Sequence, residues 1–210
     1  MNDIGRMIEN GGSGPEWCNR PPAVKPDPNH ENDRRGTRER WFTILPFIQG
    51  DDVLDVGCAH GDGYRFLPEG TWYTGVDINA EKIPFRSRYW WQLEEGPMVT
   101  MYEADIRSVL AESYRLMLGN LWSTIVALEI IEHVEDGLAL AQTLRGYGER
   151  VIISVPKNRS GPQEIRNGHV LMNLTAEDFP GYVEIPGLVA GSLVMLCDRG
   201  EVDVEGLPEA

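Results

Sequence analysis

Residues 55–63 are Asp55-Val56-Gly57-Cys58-Ala59-His60-Gly61-Asp62-Gly63, and this stretch decides the fold of the 210-residue chain. The apolar residues Val53 and Leu54 come directly before it, and a short apolar run of this kind is typical of a buried parallel strand. The glycines that follow let the backbone turn tightly and approach a ligand closely. We therefore predict a first β-strand that ends in a ligand-binding loop.

Strand and helix patterns alternate on both sides of this glycine-rich stretch. A helix is predicted from about residue 33 to residue 48, where large apolar residues recur at helical spacing. Another helix is predicted over residues 132–147, whereas only about two helical turns fit into residues 64–71. Buried strands are predicted at residues 53–56, 72–76, 99–104, 123–128 and 151–155. This alternation is typical of an α/β protein with a doubly wound parallel sheet.

The end of the chain departs from this alternation. Residues 182–185 and 192–197 are strand-like, and the few residues between them leave no room for a crossover helix. We expect these two strands to pair antiparallel. The sequence thus predicts a mostly parallel seven-stranded sheet with a C-terminal antiparallel hairpin and helices on both faces. Before the hairpin, residues 175–178 have the pattern of a capping box, which predicts the start of a short helix.

The composition favours a cytoplasmic protein without a large nucleic-acid interface. The net charge is −14, and such a chain is repelled by phosphate backbones unless its positive charges are locally clustered. Two basic clusters are present, at residues 34–40 and 82–88. No stretch approaches the roughly 20 apolar residues that a membrane span requires, so no membrane contact is expected. The three cysteines are too far apart for a zinc site.

Acidic residues follow three of the predicted strands. Asp77 ends the second strand, 22 positions after Asp55, and Asp105 and Glu129 end the third and the fourth. Ligands of open α/β sheets bind at the carboxyl ends of the strands, and an acid at the end of the second strand accepts hydrogen bonds from ribose hydroxyls. The acids are therefore candidate ligand contacts, although each of them could instead cap a helix.

A dinucleotide-dependent dehydrogenase is the competing interpretation of a glycine loop followed by an acid. Its loop requires G-x-G-x-x-G spacing, so that the pyrophosphate lies on a helix N-terminus. Gly57, Gly61 and Gly63 do not have this spacing. The glycine pattern therefore argues against a dehydrogenase.

Several segments together resemble one known family, the class I methyltransferases. Residues 53–63 are similar to the first motif of that family, residues 75–78 to the second and residues 104–106 to the third. Residues 127–134 resemble its fourth-strand motif, and residues 152–156 its fifth strand. The resemblance covers residues 40–197 and implies S-adenosyl-L-methionine as the cofactor.

The resemblance also implies which residues bind this cofactor. The first motif would hold its methionine part, Asp77 its ribose, and Asp105 would lie near the adenine amino group. The expected cofactor-binding residues are Asp55, Gly57, Cys58, Ala59, Gly61, Gly63, Asp77, Ile78, Asp105, Ile106 and Glu129.

Glu132 and His133 are the candidate catalytic residues. They follow Glu129 at i+3 and i+4, so a helix starting here would direct all three side chains to one side. His133 is expected beside the methyl-transfer centre, where we interpret it as a general base for an oxygen or nitrogen acceptor. Alternatively, Glu132 and His133 simply occupy the first turn of a helix.

A metal site is a further hypothesis, although we expect a site without metal. Two carboxylates and two imidazoles are a plausible ligand set for a divalent metal. Glu129, Glu132, His133 and His169 resemble the metal ligands of the small-RNA 3′-end 2′-O-methyltransferases. That alternative implies an RNA substrate, against which the acidity of the chain argues.

Three functions remain open from the sequence, and a methyltransferase with a small-molecule acceptor is favoured. An RNA or protein acceptor and a non-catalytic cofactor-binding protein are the alternatives. Residues 1–32 are expected to be a flexible segment or lid, residues 33–200 the methyltransferase domain and residues 201–210 an acidic tail. Candidate acceptor contacts are residues 1–40, 89–91 and 157–173.

Overall fold

The computed structural model describes residues 31–79, 91–92, 98–116, 121–157, 159–185 and 191–199. Four features predicted from the sequence lie outside these ranges: residues 1–30, the basic residues at 82–88, Tyr89 with Trp90, and the tail 201–210. Within the described ranges, every helix is too short or too polar for a transmembrane span.

One mixed sheet contains the eight strands of the described residues. They are β1 (Asp52–Val56), β2 (Trp72–Asp77), β3 (Trp91–Gln92), β4 (Met98–Glu103), β5 (Trp122–Leu128), β6 (Gly148–Pro156), β7 (Val183–Glu184) and β8 (Ser192–Asp198). Their order across the sheet is β3-β4-β2-β1-β5-β6-β8-β7. The five central strands are parallel. The predicted α/β class is confirmed, and the two-residue β3, antiparallel to β4, is an edge strand beyond the predicted seven.

The C-terminal hairpin has the predicted pairing. Strand β8 runs antiparallel to β6 over seven residue pairs and antiparallel to β7, where Val183 faces Leu196. The capping box before the hairpin is also present, because Thr175 and Asp178 exchange the hydrogen bonds that define it. The element it opens is only the 3-10 turn Ala176–Asp178.

Two apolar layers cover the two faces of the sheet. The side chains of each strand alternate between the layers, so Leu54 and Val56 belong to one and Val53 to the other. The first layer receives α2 (Ile106–Leu116) and α3 (Gly137–Leu144), and the second receives α1 (Glu31–Ile44). Helices therefore lie on both faces, as a doubly wound sheet requires.

Two predicted helices near the glycine loop are shorter than expected. Helix α1 ends at Ile44 and continues as the 3-10 turn Leu45–Phe47, because Pro46 cannot donate a helical hydrogen bond. The two turns expected over residues 64–71 are instead the 3-10 turn Asp62–Phe66. Leu67 after this turn is extended, since the residue before a proline disfavours helical backbone angles.

The helix predicted over residues 132–147 is wrong in its first part. The chain forms the 3-10 turn Ile131–His133, becomes extended at Val134 and begins α3 only at Gly137. A side chain at Gly137 would overlap the carbonyl oxygen of Ile131, so the break depends on glycine at this position. The common helical face expected for Glu129, Glu132 and His133 is therefore absent.

The sheet order places a cleft at the carboxyl ends of β1 and β5. The chain runs from β1 to β2 and β4 on one side, then to β5 and β6 on the other side. Such a reversal of strand order leaves a crevice outside the strand ends, where open α/β sheets bind ligands.

Candidate active site

The glycine loop leaves β1 through a series of left-handed residues. Gly57, Ala59 and Gly61 have φ values of 72°, 48° and 70°. The amide groups of Gly57 and Cys58 both donate hydrogen bonds to the carbonyl oxygen of Val76 on β2, at 2.8 and 3.2 Å. The loop therefore turns sharply over the end of the neighbouring strand, a path that favours glycine.

Close packing also limits the size of the loop residues. A Cβ atom at Gly57 would lie 2.6 Å from the side chain of Ile130, and one at Gly75 would lie 2.8 Å from Cys58 Sγ. The buried Cys58 thus occupies the space above Gly75, and its predicted contact with the cofactor stays a prediction. A Cβ at Gly63 would overlap the Trp41 ring.

Asp77 fixes the loop to the end of β2. One oxygen of its buried carboxylate accepts a hydrogen bond from the amide of Ala59 at 2.9 Å, and the other accepts one from the amide of Asn79 at 2.8 Å. A carboxylate oxygen can accept more than one hydrogen bond, so Asp77 retains acceptor capacity toward the cleft. Its neighbour Ile78 is 76% exposed, which makes it an apolar surface beside the acid.

Asp55 lies beneath the loop. Its carboxylate accepts a short hydrogen bond from the hydroxyl of Tyr73, and both residues are buried. Burial raises the pKa of Asp55 to about 7, against the lowering effect of the tyrosine hydrogen bond and with a further increase from Asp77. In this position Asp55 supports the loop from within the protein.

Asp105 caps a helix. Its carboxylate accepts a hydrogen bond from the amide of Arg107 in the first turn of α2, at 2.8 Å, and about half of its side chain is exposed. The next residue, Ile106, is 9% exposed and packs into the core. The cofactor contacts predicted for both residues stay predictions.

Glu129 occupies the end of β5 in an unusual conformation. Its φ is 55°, its amide donates to the carbonyl oxygen of Ser154 on β6, and its carboxylate accepts from the Ser154 hydroxyl at 3.0 Å. A non-glycine residue with positive φ persists only where the surrounding structure holds it. Glu129 is thereby fixed at the edge of the cleft.

Glu132 and His133 lie close together but differ in exposure. Glu132 is 1% exposed, and neither of its carboxylate oxygens forms a hydrogen bond with a described residue. His133 is partly exposed, and its Nε2 lies 3.9 Å from Oε1 of Glu132. Burial, and then the charge of Glu129, raise the pKa of Glu132 to about 8. A buried carboxyl group without partners is unusual, which suggests that a ligand completes it.

His169 joins these two residues from a distant part of the sequence. The amides of Val170 and Leu171 both donate to the carbonyl oxygen of Glu132, at 2.8 and 3.1 Å, and thereby attach the segment after β6 to the segment after β5. The rings of His133 and His169 pack edge to face with their centroids 4.7 Å apart. Candidate ligand atoms of Glu132, His133 and His169 all lie within 4.8 Å of one another.

We call this group the Glu132–His133–His169 cluster. It contains three of the four residues in the metal-ligand set that the sequence suggested, whereas Glu129 is not among its members. A carboxylate and two imidazoles are ligands that bind divalent transition metals. The carboxyl group of Glu132, which forms no hydrogen bond with a described residue, fits such an ion, because the ion would stabilise the ionised form that burial disfavours.

Tyr73, Ser154 and Glu164 were missed as supporting residues of the site. Tyr73 bonds to Asp55, Ser154 to Glu129, and Glu164 Oε2 lies 2.9 Å from Nδ1 of His169. The strand register is the signal for the first two: Asp55 pairs with Gly75, two residues after Tyr73, and Ser154 pairs with Leu128, the residue before Glu129. No local pattern in the sequence indicates that Glu164 is buried.

Comparisons with known proteins agree with this geometry. The methyltransferase domain family matches residues 29–182, so the chain belongs to that family. The O-methyltransferase of ubiquinone biosynthesis from Pseudomonas putida strain W619 is 28% identical over 121 residues, which are 57% of this chain and 47% of that protein. The corresponding Pseudomonas aeruginosa LESB58 protein is 27% identical over the same lengths. The chain thus spans about half the length of these curated relatives.

A solved structure shares the fold. The N-methyltransferase NodS from Bradyrhizobium japonicum WM9 superposes with a TM-score of 0.52 at 17% identity, over 81% of this chain and 97% of NodS. The predicted class is confirmed: the chain has the class I fold of S-adenosyl-L-methionine-dependent methyltransferases.

The residues at the cleft fit S-adenosyl-L-methionine as the cofactor. A glycine loop in left-handed conformation, a fixed acid at the end of β2 and the exposed Ile78 beside it lie together. They can receive a charged chain, a ribose and an apolar base, respectively. The assignment of the contacts residue by residue stays a prediction.

Proposed function

We propose that this protein transfers a methyl group from S-adenosyl-L-methionine to a hydroxyl oxygen of a small molecule, and that a divalent cation at the Glu132–His133–His169 cluster assists. The observation that carries the proposal is this cluster, in which the buried Glu132 carboxylate forms no hydrogen bond with a described residue. It lies beyond the end of β5, next to the strand end from which the glycine loop begins.

The cofactor and the cation each supply one part of the chemistry. The cofactor supplies an electrophilic methyl group on a positively charged sulfur. A divalent cation held there would lower the pKa of the acceptor hydroxyl, whose proton would pass to solvent. The oxygen would then bond to the methyl carbon as the carbon–sulfur bond breaks and S-adenosylhomocysteine leaves. The protein has to hold donor and acceptor in line for a direct displacement.

The residues of the cleft divide this work. The glycine loop and Asp77 orient the donor, while Glu129 is held at the edge of the cleft by Ser154. The Nδ1 atom of His133 lies 3.2 Å from the carbonyl oxygen of Gly168. Donation from Nδ1 leaves the Nε2 lone pair available, which both a metal ligand and a general base require. The nearby His169 favours the ligand role for His133 over the general-base role.

Two observations support an oxygen acceptor and a small molecule. The curated relatives carry the name of an O-methyltransferase of ubiquinone biosynthesis, although the chain spans only about half of their length. The net charge of −14 opposes binding to a phosphate backbone.

Methylation of a ribose 2′-hydroxyl in RNA is the second candidate. The specific observation in its favour is that His169 joins Glu132 and His133, as in the metal-ligand set of the small-RNA 3′-end 2′-O-methyltransferases that this sequence resembles. A ribose 2′-hydroxyl has to lose its proton on methylation, as the hydroxyl of a small molecule does. The two candidates share the cluster and differ in the acceptor.

An isotope-transfer assay separates these functions. The purified protein is incubated with methyl-labelled S-adenosyl-L-methionine, Mg²⁺ or Mn²⁺, and either a panel of small phenols and alcohols or RNA with a free 3′ end. We expect label in a small-molecule product and loss of transfer when the cation is chelated. Label in RNA alone would favour the second candidate, and undiminished transfer after chelation would contradict the metal role.

A protein that binds the cofactor without transferring the methyl group is the remaining alternative. S-adenosylhomocysteine is expected to raise the melting temperature, whereas NAD is not. Stabilisation by S-adenosylhomocysteine, combined with no transfer to any acceptor, would favour the non-catalytic alternative. The division of the chain at residues 32 and 200 and the cytoplasmic location stay predictions.

A further inference from the structure

We propose that Glu164 is a positioning residue for the metal site: its carboxylate holds the imidazole of His169 in the orientation and tautomer that metal binding requires. This inference rests on the proposed function, because it concerns a ligand of the proposed cation. Glu164 lies outside the residues that the sequence motifs indicate.

Glu164 is fixed by the short helix α4 (Pro162–Arg166) and is 7% exposed. Its carbonyl oxygen accepts a hydrogen bond from the amide of His169 at 3.0 Å, so the backbone returns to Glu164 at this point. Its side-chain Oε2 lies 2.9 Å from Nδ1 of His169. Backbone and side chain thus both connect the two residues.

The burial of this carboxylate needs an explanation. A buried charge is unfavourable unless it is paired. Oε2 of Glu164 has no hydrogen bond of regular geometry with a described residue, and it lies 2.9 Å from Nδ1 of His169. Glu164 also lies close enough to Glu132 for the two negative charges to repel each other. Burying the Glu164 carboxylate costs folding free energy. This cost is explained if the carboxylate orients the imidazole of His169 for function.

The contact determines which nitrogen of His169 faces the cluster. A carboxylate at Nδ1 favours the tautomer with a proton on Nδ1, which leaves the lone pair on Nε2. Outer partners of this kind orient imidazole ligands and raise their basicity. His133 is held in the same manner, since its Nδ1 lies against the carbonyl oxygen of Gly168. The stretch 164–169 therefore prepares both imidazoles of the cluster.

The test compares metal binding by variants of Glu164. Mn²⁺ is titrated into the full chain and free Mn²⁺ is measured by electron paramagnetic resonance. We expect Glu164→Ala to weaken Mn²⁺ binding by about 10- to 100-fold, the range known for such outer partners. Glu164→Gln should recover part of the affinity, because its amide oxygen can still accept from Nδ1. Glu177→Gln, at an exposed glutamate, is the matched control and should bind like the wild type.

Binding of S-adenosylhomocysteine separates positioning from general damage. Its dissociation constant should stay within about twofold of the wild type in both Glu164 variants, because the glycine loop and Asp77 lie on other elements. If the wild type binds no Mn²⁺, the proposed function fails. If the wild type binds Mn²⁺ and Glu164→Ala binds it equally well, only the role of Glu164 fails.

A second measurement needs no variant that could misfold. Long-range proton–nitrogen correlation spectra of the ¹⁵N-labelled wild type report the tautomer of each histidine. We expect the His169 ring to carry its proton on Nδ1 before metal is added. A ring protonated on Nε2 instead would overturn the inference.

Discussion

The two edges of the cleft are held by different kinds of interaction. At the end of β1, the glycine loop is fixed mainly by backbone amides, which bond to Val76 and to the carboxylate of Asp77. At the end of β5, the Glu132–His133–His169 cluster consists of ionisable side chains that pack against one another, and its central carboxylate has no hydrogen-bond partner among the described residues. The hydrogen bonds of the first edge are complete among the described residues, whereas under the proposed function a cation would complete the second.

This difference implies a division of function. The hydrogen bonds of backbone amides at the glycine loop depend little on side-chain identity. They suit the binding of one invariant cofactor. The side chains of the Glu132–His133–His169 cluster come from two segments. Substitutions among them can change the preference for an acceptor without altering the first edge, at the glycine loop. Substitutions at the second edge should therefore reduce methyl transfer without reducing cofactor binding, and those at the first should reduce both.

The largest effect is expected from substitutions in the cluster. His169→Ala or Glu132→Gln should lower the turnover by at least about 100-fold, because the acceptor hydroxyl loses the group that favours its deprotonation. Calorimetric titration should give an unchanged affinity for S-adenosylhomocysteine. A parallel loss of cofactor affinity would contradict the division between the two edges.

A smaller loss is expected at the other edge. Asp77→Ala removes a charged acceptor from the amides of Ala59 and Asn79 and from the ribose contact that the sequence predicts, so the affinity for S-adenosylhomocysteine should fall about 10- to 100-fold. Glu177→Ala is the comparison, because that acid is exposed and is not among the predicted cofactor contacts; we expect its effect to be within about twofold. Equal losses in the two variants would mean that Asp77 has no special role.

Substitution of the loop glycine tests the packing of the first edge. Gly57→Ala introduces a side chain at positive φ and also 2.6 Å from Ile130, so the free energy of unfolding should fall by about 2–3 kcal/mol. Gly70→Ala is the matched control, since Gly70 also has positive φ but no atom within 4 Å of the added carbon. It should lose only about 1 kcal/mol in urea denaturation. A loss at Gly57 no greater than that at Gly70 would show that contact with Ile130 is unimportant.

The pH dependence of stability is a further test of the first edge. Because the pKa of Asp55 is raised from 3.8 to about 7 in the folded protein, the native state binds more protons than the unfolded state between these values. Its contribution to stability is thus present at low pH and is lost as the pH rises toward 7, by at most about 1.4 kcal/mol per pH unit.

Asp55→Asn should remove this contribution, so the free energy of unfolding of the variant should fall less steeply between pH 4 and 7. Some dependence should remain, because burial also raises the pKa of Asp52 to about 6. Identical slopes for the variant and the wild type in denaturation at several pH values would contradict the assigned protonation of Asp55.

The comparison of the two edges also explains what the sequence could predict. The glycine loop and the acid of β2 follow from local signals, since an apolar strand, glycines and an acid at the next strand end occur in a fixed order. The break at Gly137 could not be predicted, because it depends on contact with the carbonyl oxygen of Ile131. The apolar periodicity of residues 132–147 alone indicated a continuous helix.

The second edge was harder to predict because its residues are distant in the sequence. His169 meets His133 only because two amides after it bond to the carbonyl oxygen of Glu132. The sequence suggested these residues as ligands by resemblance alone. It gave no sign that Glu132 would be buried without partners or that Glu164 would lie behind His169.

The central claim is that the cluster binds a divalent cation beside the cofactor, and anomalous diffraction tests it most directly. Crystals of the protein with S-adenosylhomocysteine are soaked in Mn²⁺, and data are collected on both sides of the manganese absorption edge. We predict an anomalous peak about 2 Å from a carboxylate oxygen of Glu132 and from one nitrogen each of His133 and His169. No peak at these residues, in crystals that hold S-adenosylhomocysteine on the glycine loop, would contradict the account.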